Sequence, residues 1–370
     1  MRKILFLLLL LVVNPVFAAM RYTIVVDAGS SGSRIYLYQY QKSGVNKISD
    51  LQLITSKKIH PGLSNFVDNY AGIDNYIKPL LIFIKDKLNA GVDESQVNFY
   101  LLSTAGMRLL SADQQQQIYQ HVKAAVNKYT KFKIKQIATI TGQWEAIYGW
   151  IAANHDNHSL VSGKTIGVLD MGGASAEAAF EMRPGARSSH AVNLRLGANN
   201  FLVYAISYLG LGQNQVRHQF TNNASCFARG YPLPSGEMGE GDYRSCVKAI
   251  RPFLEEVHDV GKVRQLIAPG TKFIAVSWYY DLLHSNIFNS GAGFTPAQLY
   301  NKGVQICDQS WTSLKMQYGD DPYLYSACFN LAYFYGLLTH GFKFKDNHHF
   351  STLRNVDWAL GVVVFHAYND

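Results

Sequence analysis

Residues 21–34 read Arg-Tyr-Thr-Ile-Val-Val-Asp-Ala-Gly-Ser-Ser-Gly-Ser-Arg, and the predicted fold follows from this segment. The β-branched run that ends at Asp27 predicts a strand, residues 28–33 have the Gly and Ser typical of a tight turn, and the following residues predict a second strand. A second unit of this kind occupies residues 165–180 and has Asp170 in the place of Asp27. We therefore predict an internal duplication, with one copy of the unit in each of two similar domains.

Strands and helices alternate along the following part of the chain. Apolar residues at helical spacing predict a helix over residues 73–88, and residues 97–102 form an apolar run typical of a buried strand. Ser111 and Gln114 form a capping box that predicts the start of another helix. This alternation predicts an α/β fold. We expect a first domain of residues 20–145 plus 337–370 and a second domain of residues 146–336, with the ligand site between them.

Composition and charge narrow the function only slightly. The 370 residues carry a formal net charge of +8 at pH 7, and their Lys and Arg residues are scattered along the chain. A mild basic excess favours a polyanionic ligand such as a nucleotide, although solubility alone explains it equally well. We expect a monomer that does not bind a nucleic acid polymer.

The N-terminus predicts export. Residues 1–18 carry Arg2 and Lys3, then an apolar run, then small residues up to Ala18, as in a cleaved secretory signal. The alternative, a membrane anchor, is less favoured because the apolar run ends at Pro15 and is shorter than the ~20 residues that span a bilayer. We expect a secreted or periplasmic protein, cleaved near Ala18, without a stable membrane anchor.

The chain contains four cysteines, Cys226, Cys246, Cys307 and Cys328, and no Cys-x-x-Cys pair. In an exported protein an even number indicates two disulfides rather than a metal site. Three pairings are possible. We favour Cys226–Cys246 with Cys307–Cys328, because each bond then closes a loop of about 20 residues.

The two Asp-Gly turns have the composition of phosphate-binding loops. Gly29 and Gly172 allow the backbone to approach a ligand, and neighbouring N–H groups and Ser hydroxyls can donate to phosphate oxygens. Asp27 and Asp170 could hold the water shell of a metal ion. One such turn is more often a structural hairpin, but two at matching positions favour a clamp on a diphosphate. Neither turn is a Walker A loop, because Gly-x-x-x-x-Gly-Lys-Ser/Thr does not occur in the sequence.

Two further segments place polar side chains after predicted strands. Thr104 could donate to phosphate and Arg108 could add positive charge, although an ordinary ion pair explains Arg108 equally well. Glu145 lies in the first turn of a predicted helix and could activate a water molecule. A Glu at such a position usually complements the helix dipole, so position alone does not assign Glu145 to catalysis.

These motifs together resemble the apyrase conserved regions of the ecto-nucleoside triphosphate diphosphohydrolase family. The first four regions are matched in order by residues 27–34, 103–108, 142–150 and 169–177, and the fifth by residues 358–361, Trp-Ala-Leu-Gly. As an ordered set that spans most of the chain, the match is highly specific. The compact, soluble architecture resembles that of the secreted bacterial members. The resemblance implies two actin-like (ribonuclease H-like) α/β domains with the active site in the cleft between them.

The resemblance also implies a role for each site residue. Glu145 would activate the attacking water, and Ser175 would help to hold that water. Asp27 and Asp170 would bind Mg²⁺ or Ca²⁺ through its waters. Phosphate groups would be held by Gly29, Ser30, Ser31, Thr104, Gly172, Gly173 and Ala174.

Glu177 departs from the family pattern, since many members have Gln at this position. A second carboxylate beside the attacking water could raise the pKa of Glu145 or add a metal ligand, so we include Glu177 with the catalytic residues. Family members stack the nucleobase on aromatic residues of the second domain. Tyr279, Tyr280 and Phe350 are the candidates here, although aromatic residues in such places more often belong to the core.

We therefore predict stepwise hydrolysis of nucleoside triphosphates and diphosphates to the monophosphate and inorganic phosphate. Two alternatives stay open. A secreted exopolyphosphatase would share both Asp-Gly turns, and hydrolysis of long-chain polyphosphate but not ATP would select it. A non-catalytic nucleotide-binding protein is suggested by Glu177, and tight ATP binding without phosphate release would select that alternative.

Overall fold

A computed structural model describes residues 19–44, 47–257, 259–289, 291–354 and 356–369, so the predicted signal segment lies outside the described residues. The described residues form twelve strands: β1 Ala19–Ala28, β2 Ser33–Lys42, β3 Ile48–Ile59, β4 Asn98–Ser103, β5 Lys133–Thr139, β6 Gly167–Met171, β7 Ser175–Glu181, β8 Ala191–Leu196, β9 Asn199–Leu209, β10 Phe273–Ser277, β11 Gly293–Phe294 and β12 Phe350–Thr352. They also form thirteen α-helices: α1 Gly72–Lys85, α2 Ala105–Arg108, α3 Ala112–Tyr129, α4 Gly142–Asp156, α5 Ser159–Ser162, α6 Gln213–Gln219, α7 Tyr243–Glu255, α8 Val263–Leu266, α9 Trp278–Leu283, α10 Pro296–Cys307, α11 Trp311–Tyr318, α12 Ala327–Gly336 and α13 Trp358–Asn369.

Two mixed β-sheets repeat the same central arrangement. The first sheet has the strand order β3-β2-β1-β4-β5, and the second has the order β11-β12-β10-β6-β7-β9-β8. In the first sheet, β1 pairs antiparallel with β2 and parallel with β4. In the second sheet, β6 pairs antiparallel with β7 and parallel with β10. Each Asp-Gly turn therefore connects the two strands of one hairpin, and the two hairpins occupy equivalent positions in their sheets.

Helices α4 and α13 form a layer between the sheets. Their apolar side chains share one core with Val25 of the first sheet and Val168 of the second. Helices α1 and α3 cover the outer face of the first sheet, and α7, α10 and α12 cover the outer face of the second. Gly361 lets α13 lie directly on α4, because a Cβ at this position would overlap the carbonyl oxygen of Tyr148. The result is a layered α/β architecture.

Local sequence signals account for several of these elements. The helical spacing of residues 73–88 becomes α1, which buries Ile73, Ile77 and Leu80 against the first sheet. The capping box forms as predicted: the Ser111 hydroxyl accepts from the Gln114 amide N–H, and the Gln114 side chain accepts from the Ser111 N–H.

The C-terminal part of the chain contributes to both halves of the fold. Strand β12 pairs with β10 in the second sheet, although it lies within residues 337–370, which we assigned to the first domain. That placement is wrong for β12, because its position is fixed by sheet pairing that is not visible in the local sequence. The predicted boundary at residue 145 also falls inside α4, which belongs to the layer between the sheets.

The structure contains the two disulfides that the spacing favoured. Cys226 is bonded to Cys246 and Cys307 to Cys328, with Cα–Cα distances of 4.8 and 5.3 Å. All four cysteines are buried in the core of the second sheet and its helices. Within the part of the chain that the structure describes, no helix is both long and apolar enough to span a bilayer.

Candidate active site

The predicted metal-binding and catalytic carboxylates line one cavity. This main cavity has a volume of about 590 Å³ and is bounded by residues from both sheets and from α4. Asp27 enters it from the end of β1, and Asp170 enters it from the equivalent part of β6. Glu145 and Glu177 also line it, from α4 and β7. The fold thus brings together Asp27, Glu145 and the hairpin that carries Asp170 and Glu177, three segments that are far apart in the sequence.

Asp27 and Asp170 each have an oxygen without a hydrogen-bond partner. In both residues the buried Oδ1 atom is left unpaired. Burial, followed by repulsion from Asp357 and Glu145, raises the pKa of Asp27 well above its usual range. Burial also raises the pKa of Asp170, although a hydrogen bond from Ser277 opposes this shift. Unpaired buried carboxylate oxygens are costly unless a cation or a proton compensates them.

Glu145 is held at the start of α4 by a cap and an ion pair. Thr141 is the N-cap residue, and its hydroxyl accepts from the Trp144 N–H. The Glu145 carboxylate pairs with the Arg108 guanidinium, whose Nε donates to the Ile140 carbonyl at 3.0 Å. Burial raises the pKa of Glu145 to about 7, while Arg108 acts in the opposite direction. Of the two roles considered for Arg108, phosphate binding and an ion pair, the structure shows the ion pair. Its partner is Glu145, the candidate base.

Ser175 and Glu177 lie on β7 and are both buried. The Ser207 hydroxyl donates to Glu177 Oε1 at 2.7 Å from the neighbouring strand β9. Burial is the main cause that raises the pKa of Glu177 well above its usual range, and the charges of Glu145 and Asp170 add to it. Glu177 is thus a buried carboxyl with a defined hydrogen-bond partner at the candidate catalytic position.

The first phosphate-binding candidate loop contains Gly29, Ser30 and Ser31 and is supported by segments that approach it closely. A Cβ on Gly106 would lie 2.7 Å from the Ser30 Cα, so the turn that follows β4 packs directly on the loop. His60 Nδ1 lies 2.7 Å from the Ser31 carbonyl oxygen. Thr104, the N-cap residue of α2 at the start of the same segment, is buried. The loop is therefore fixed by its neighbours, and Ser30 and Ser31 stay exposed.

The second candidate loop, residues 172–174, is fixed by the N-terminus of α6. The Gln213 and Asn214 N–H groups donate to the Gly172 and Gly173 carbonyls at 2.9 and 3.0 Å. Gly212 permits this approach, because a Cβ there would overlap the Ala174 backbone. Sequence reasoning did not single out Gly212, whose importance depends on a contact between distant segments.

Two of the three nucleobase candidates lie in the core. Tyr279 is 1% exposed and Phe350 is 0% exposed, and both pack among the apolar residues of the second sheet. Tyr280 is half-buried and stacks on His284 with ring centroids 3.8 Å apart. None of the three is among the described residues that line the main cavity. The assignment of Tyr279 and Phe350 to a nucleobase platform is therefore wrong for this structure, because sheet packing buries their rings.

The main cavity also contains residues that the sequence analysis did not assign. Asp357 accepts a hydrogen bond from the Tyr36 hydroxyl and lies 3.8 Å from Arg34. Ser277 lines the cavity with φ of 59° and ψ of −124°, a strained conformation for a residue other than glycine. The only available signal for Asp357 was its position directly before the Trp-Ala-Leu-Gly segment. Ser277 follows an apolar strand run, but its strain is not visible in the sequence.

One protein-family model matches nearly the whole chain. The family model of the GDA1/CD39 (nucleoside phosphatase) family matches residues 16–370. Among curated proteins, the chain is similar to nucleoside-triphosphatase ntp-1 of Caenorhabditis elegans, with 27% identity over 94% of this chain and 73% of that protein. It is also similar to the Golgi apyrase of Schizosaccharomyces pombe, with 27% identity over 94% of this chain and 76% of that protein. Nucleoside-diphosphatase mig-23 of C. elegans is 23% identical over 93% of this chain and 77% of that protein.

Solved structures support the fold. The chain superimposes on a nucleoside triphosphate hydrolase of Neospora caninum with a TM-score of 0.68 and 15% identity, over 95% of this chain and 93% of that one. A Ppx/GppA protein of Aquifex aeolicus gives a TM-score of 0.60 and 15% identity, over 95% of this chain and 99% of that one. These similarities confirm the actin-like α/β fold that the sequence motifs implied.

Proposed function

The chain belongs to the GDA1/CD39 nucleoside phosphatase family, and we propose that it hydrolyses nucleoside triphosphates and diphosphates stepwise to the monophosphate and inorganic phosphate. The convergence of Asp27, Glu145 and Asp170 on one cavity between two Gly-containing hairpins carries this proposal. Similar proteins include a nucleoside-triphosphatase, a nucleoside-diphosphatase and an apyrase. Both substrate classes are therefore represented among the relatives.

A divalent cation, Mg²⁺ or Ca²⁺, fits the chemistry of Asp27 and Asp170. Each residue offers an unpaired buried oxygen, and a cation would favour the ionised form of both carboxyls. Among the described residues, no group of three or more His, Cys, Asp or Glu side chains could hold a metal ion directly. Asp27 and Asp170 would bind the cation through its waters, and its other ligands would be waters and phosphate oxygens, as is usual for Mg²⁺. When bound, the cation would neutralise charge on the phosphate groups.

Glu145 is the proposed general base. A pKa of about 7 suits a base that works near neutral pH, because the carboxylate is then both available and basic enough to take a proton. Arg108 orients this carboxylate, and Ser175 would hold the water that it activates. The water oxygen would bond to the terminal phosphorus as the bond to the leaving nucleotide breaks, and the water proton would pass to Glu145. No phosphoenzyme is needed.

The two hairpin loops are the proposed phosphate-binding elements. The proposed donors are the N–H groups of Gly29, Ser30, Ser31, Gly173 and Ala174 and the hydroxyls of Ser30, Ser31 and Thr104. The Gly172 N–H already donates to the Ser175 carbonyl at 2.9 Å, so the proposed role of Gly172 is to shape the loop. Arg34 and Lys58 supply positive charge near Asp27 and partly oppose the rise in its pKa that burial causes. Preorganised donors of this kind stabilise the charge that develops during phosphoryl transfer.

A different aromatic pair is the proposed nucleobase platform. Trp278 and Tyr323 are half-buried and make an edge-to-face contact with ring centroids 5.5 Å apart. Trp278 directly follows Ser277, which lines the main cavity. Both rings are partly exposed, which those of Tyr279 and Phe350 are not, and Trp278 is adjacent in sequence to a residue of the main cavity.

A substrate panel tests the proposed function against its alternatives. Phosphate release would be measured from ATP, ADP and long-chain polyphosphate, each with Mg²⁺, with Ca²⁺ and with a chelator. We expect release from both nucleotides only when the metal is present. Release from polyphosphate but not from nucleotides would support the exopolyphosphatase alternative, whose Ppx/GppA relatives share the fold. Tight nucleotide binding with no release would support the non-catalytic alternative.

We also propose that the protein works outside the cytoplasm. Two disulfides in one chain are typical of an oxidising compartment. The predicted signal at residues 1–18 would direct export. Expression of the full chain, followed by N-terminal sequencing of the exported product, tests this proposal. Cleavage near Ala18 is the expected result, and retention of the intact N-terminus in the cytoplasm would contradict it.

A further inference from the structure

A second cavity lies on the other side of Glu145 and Glu177 from the main cavity. This rear pocket has a volume of about 270 Å³. Its lining includes Arg108, Gly142, Gln143, Ser189, His190 and Ser207. The function described above uses only Arg108 from this set, and it uses Arg108 only through Glu145.

Two pairs of side chains separate the rear pocket from the main cavity. In the first pair, Arg108 lines the rear pocket and its partner Glu145 lines the main cavity. In the second pair, Ser207 lines the rear pocket and donates at 2.7 Å to Glu177, which lines the main cavity. The barrier is therefore made of side chains, which can exchange partners by rotamer changes and without movement of a strand.

The rear pocket has the chemistry of an anion site. Its lining provides the Arg108 guanidinium, the His190 imidazole and the hydroxyls of Ser189 and Ser207. None of the described residues that line it is acidic, but the Asp259 carboxylate lies 4.0 Å from His190 Nε2, so the positive charge of the pocket depends chiefly on Arg108. The first turn of α4 also borders it through Gly142, so the positive end of the helix dipole points toward it. Phosphate is the anion that the proposed reaction generates beside Glu145.

The start of α4 packs closely against β9 and against the segment before β8, and these contacts form the wall of the rear pocket. A Cβ on Gly142 would overlap the Ser207 side chain and lie 3.1 Å from Arg108 Nη1. The Gln143 amide donates to the His190 carbonyl at 3.1 Å and to the Ala205 carbonyl at 3.3 Å. These contacts fix the segment before β8 against the start of α4. The His190 backbone is therefore held in place, and Ser189 lies beside it at an exposed position of the same segment.

We propose that the rear pocket binds the released inorganic phosphate and is its exit route. This inference rests on the proposed function, since it concerns the product of that reaction. The phosphate would form next to Glu145, while the nucleotide product still occupies the main cavity. Arg108 would exchange the Glu145 carboxylate for phosphate oxygens, with which guanidinium forms charge-assisted and often bidentate hydrogen bonds. Phosphate would then leave on the side opposite to the nucleotide.

Phosphate binding in the presence of a bound triphosphate analogue tests this proposal. The protein would be saturated with Mg²⁺ and the β,γ-imido analogue of ATP, which fills the main cavity, and then titrated with inorganic phosphate by calorimetry. Wild type should still bind phosphate. Ser189→Glu places an anion at an exposed position of the rear pocket and should weaken this binding at least tenfold, whereas Ser189→Lys should strengthen it. Ser313→Glu, at an exposed position of α11, is the control and should match wild type.

Turnover provides a second measurement. In the first turnover of Ser189→Glu, the rate of phosphate formation measured by acid quench should equal that of wild type. Free phosphate, measured with a phosphate sensor, should appear several-fold more slowly than in wild type. The proposal would be overturned if the wild-type analogue complex did not bind phosphate. It would also be overturned if the two Ser189 variants bound phosphate with equal affinity. An absence of nucleotide hydrolysis in wild type would instead contradict the proposed function, and the calorimetric comparison would still decide whether the pocket binds phosphate.

Discussion

Glu177 lies directly opposite Asp170 on the paired strands β6 and β7. In the equivalent hairpin of the first sheet, the residue opposite Asp27 is Arg34. The duplicated hairpins therefore differ in charge at one matching position, with a cation beside one aspartate and a carboxyl beside the other. The second carboxyl concentrates acidic groups around Glu145 and makes the site sensitive to pH.

Glu177→Gln should retain activity near neutral pH and lose less activity at alkaline pH than wild type. Burial and the neighbouring charges raise the pKa of Glu177 well above its usual range, which favours its protonated form, and a protonated carboxyl resembles the amide of Gln. As pH rises, ionisation of Glu177 would add a negative charge beside Glu145 and Asp170. The pH profile of kcat/KM from pH 6 to 10 checks this. Glu181→Gln, at the other end of β7, is the control, and a more than tenfold loss at pH 7 in Glu177→Gln would refute the prediction.

Without metal, the folded protein should lose stability as pH rises from about 4.5 to 7. A carboxyl with a raised pKa binds its proton more tightly in the folded state than in the unfolded state, so deprotonation of the unfolded chain then favours unfolding. For Glu145, whose pKa is about 7, this loss is on the order of 3 kcal/mol. Denaturant unfolding of wild type and Glu145→Gln at pH 5 and 7.5, with a chelator present, measures it. We expect the variant to have the smaller pH dependence and Mg²⁺ to reduce the loss in wild type; equal pH dependence would contradict this.

Asp357→Asn should weaken the binding of Mg²⁺ in the absence of nucleotide. Asp357 adds negative potential at both Asp27 and Asp170, whose pKa values it raises, and the same potential attracts a cation. Removal of one such charge should reduce Mg²⁺ affinity about tenfold, or roughly 1.4 kcal/mol. The shift of the melting temperature with Mg²⁺ concentration reports this affinity. Asp156→Asn, at the end of α4 in the same cavity, should bind Mg²⁺ as wild type does, and an unchanged affinity in Asp357→Asn would rule out the electrostatic role.

Gly361→Ala should destabilise the fold strongly, because the added methyl would overlap backbone atoms of Tyr148 that cannot rotate away. We expect a loss of about 3 kcal/mol or more in the free energy of unfolding. Gly149→Ala is the matched control on α4, where an added Cβ meets no atom within 4 Å and should be neutral or slightly stabilising. Equal stability of the two variants would show that the contact between α4 and α13 does not require a glycine. The result would also test whether this part of the fifth conserved region serves packing.

The sequence was most informative where a local pattern carried the information. The two Asp-Gly hairpins, the helix that presents Glu145 and the capping box at Ser111 all follow from short segments. The contact of Ser207 with Glu177 depends instead on the pairing of β7 with β9, which local periodicity does not determine. Asp357 lines the main cavity because it lies directly before α13, which packs between the sheets.

The nucleobase candidates show the same limit. An aromatic residue after an apolar strand has the same local pattern whether its ring faces a ligand or the core. Strand β12 pairs with β10, and Phe350 is buried as a result. Tyr279 is buried because α9 turns back onto the core of the second sheet. Burial of these rings is thus a property of the assembled sheet, and spacing alone could not predict it.

Glu145 is the proposed base of a nucleotide hydrolase, and single-turnover hydrolysis of ATP by Glu145→Gln is the sharpest test of that role. The variant should bind Mg²⁺ and ATP and unfold cooperatively as wild type does. Its rate of phosphate formation should be lower by about 10²–10⁴-fold, the usual contribution of a general base. A rate within about threefold of wild type, with nucleotide binding intact, would show that another group activates the water and that Glu145 serves only to hold Arg108.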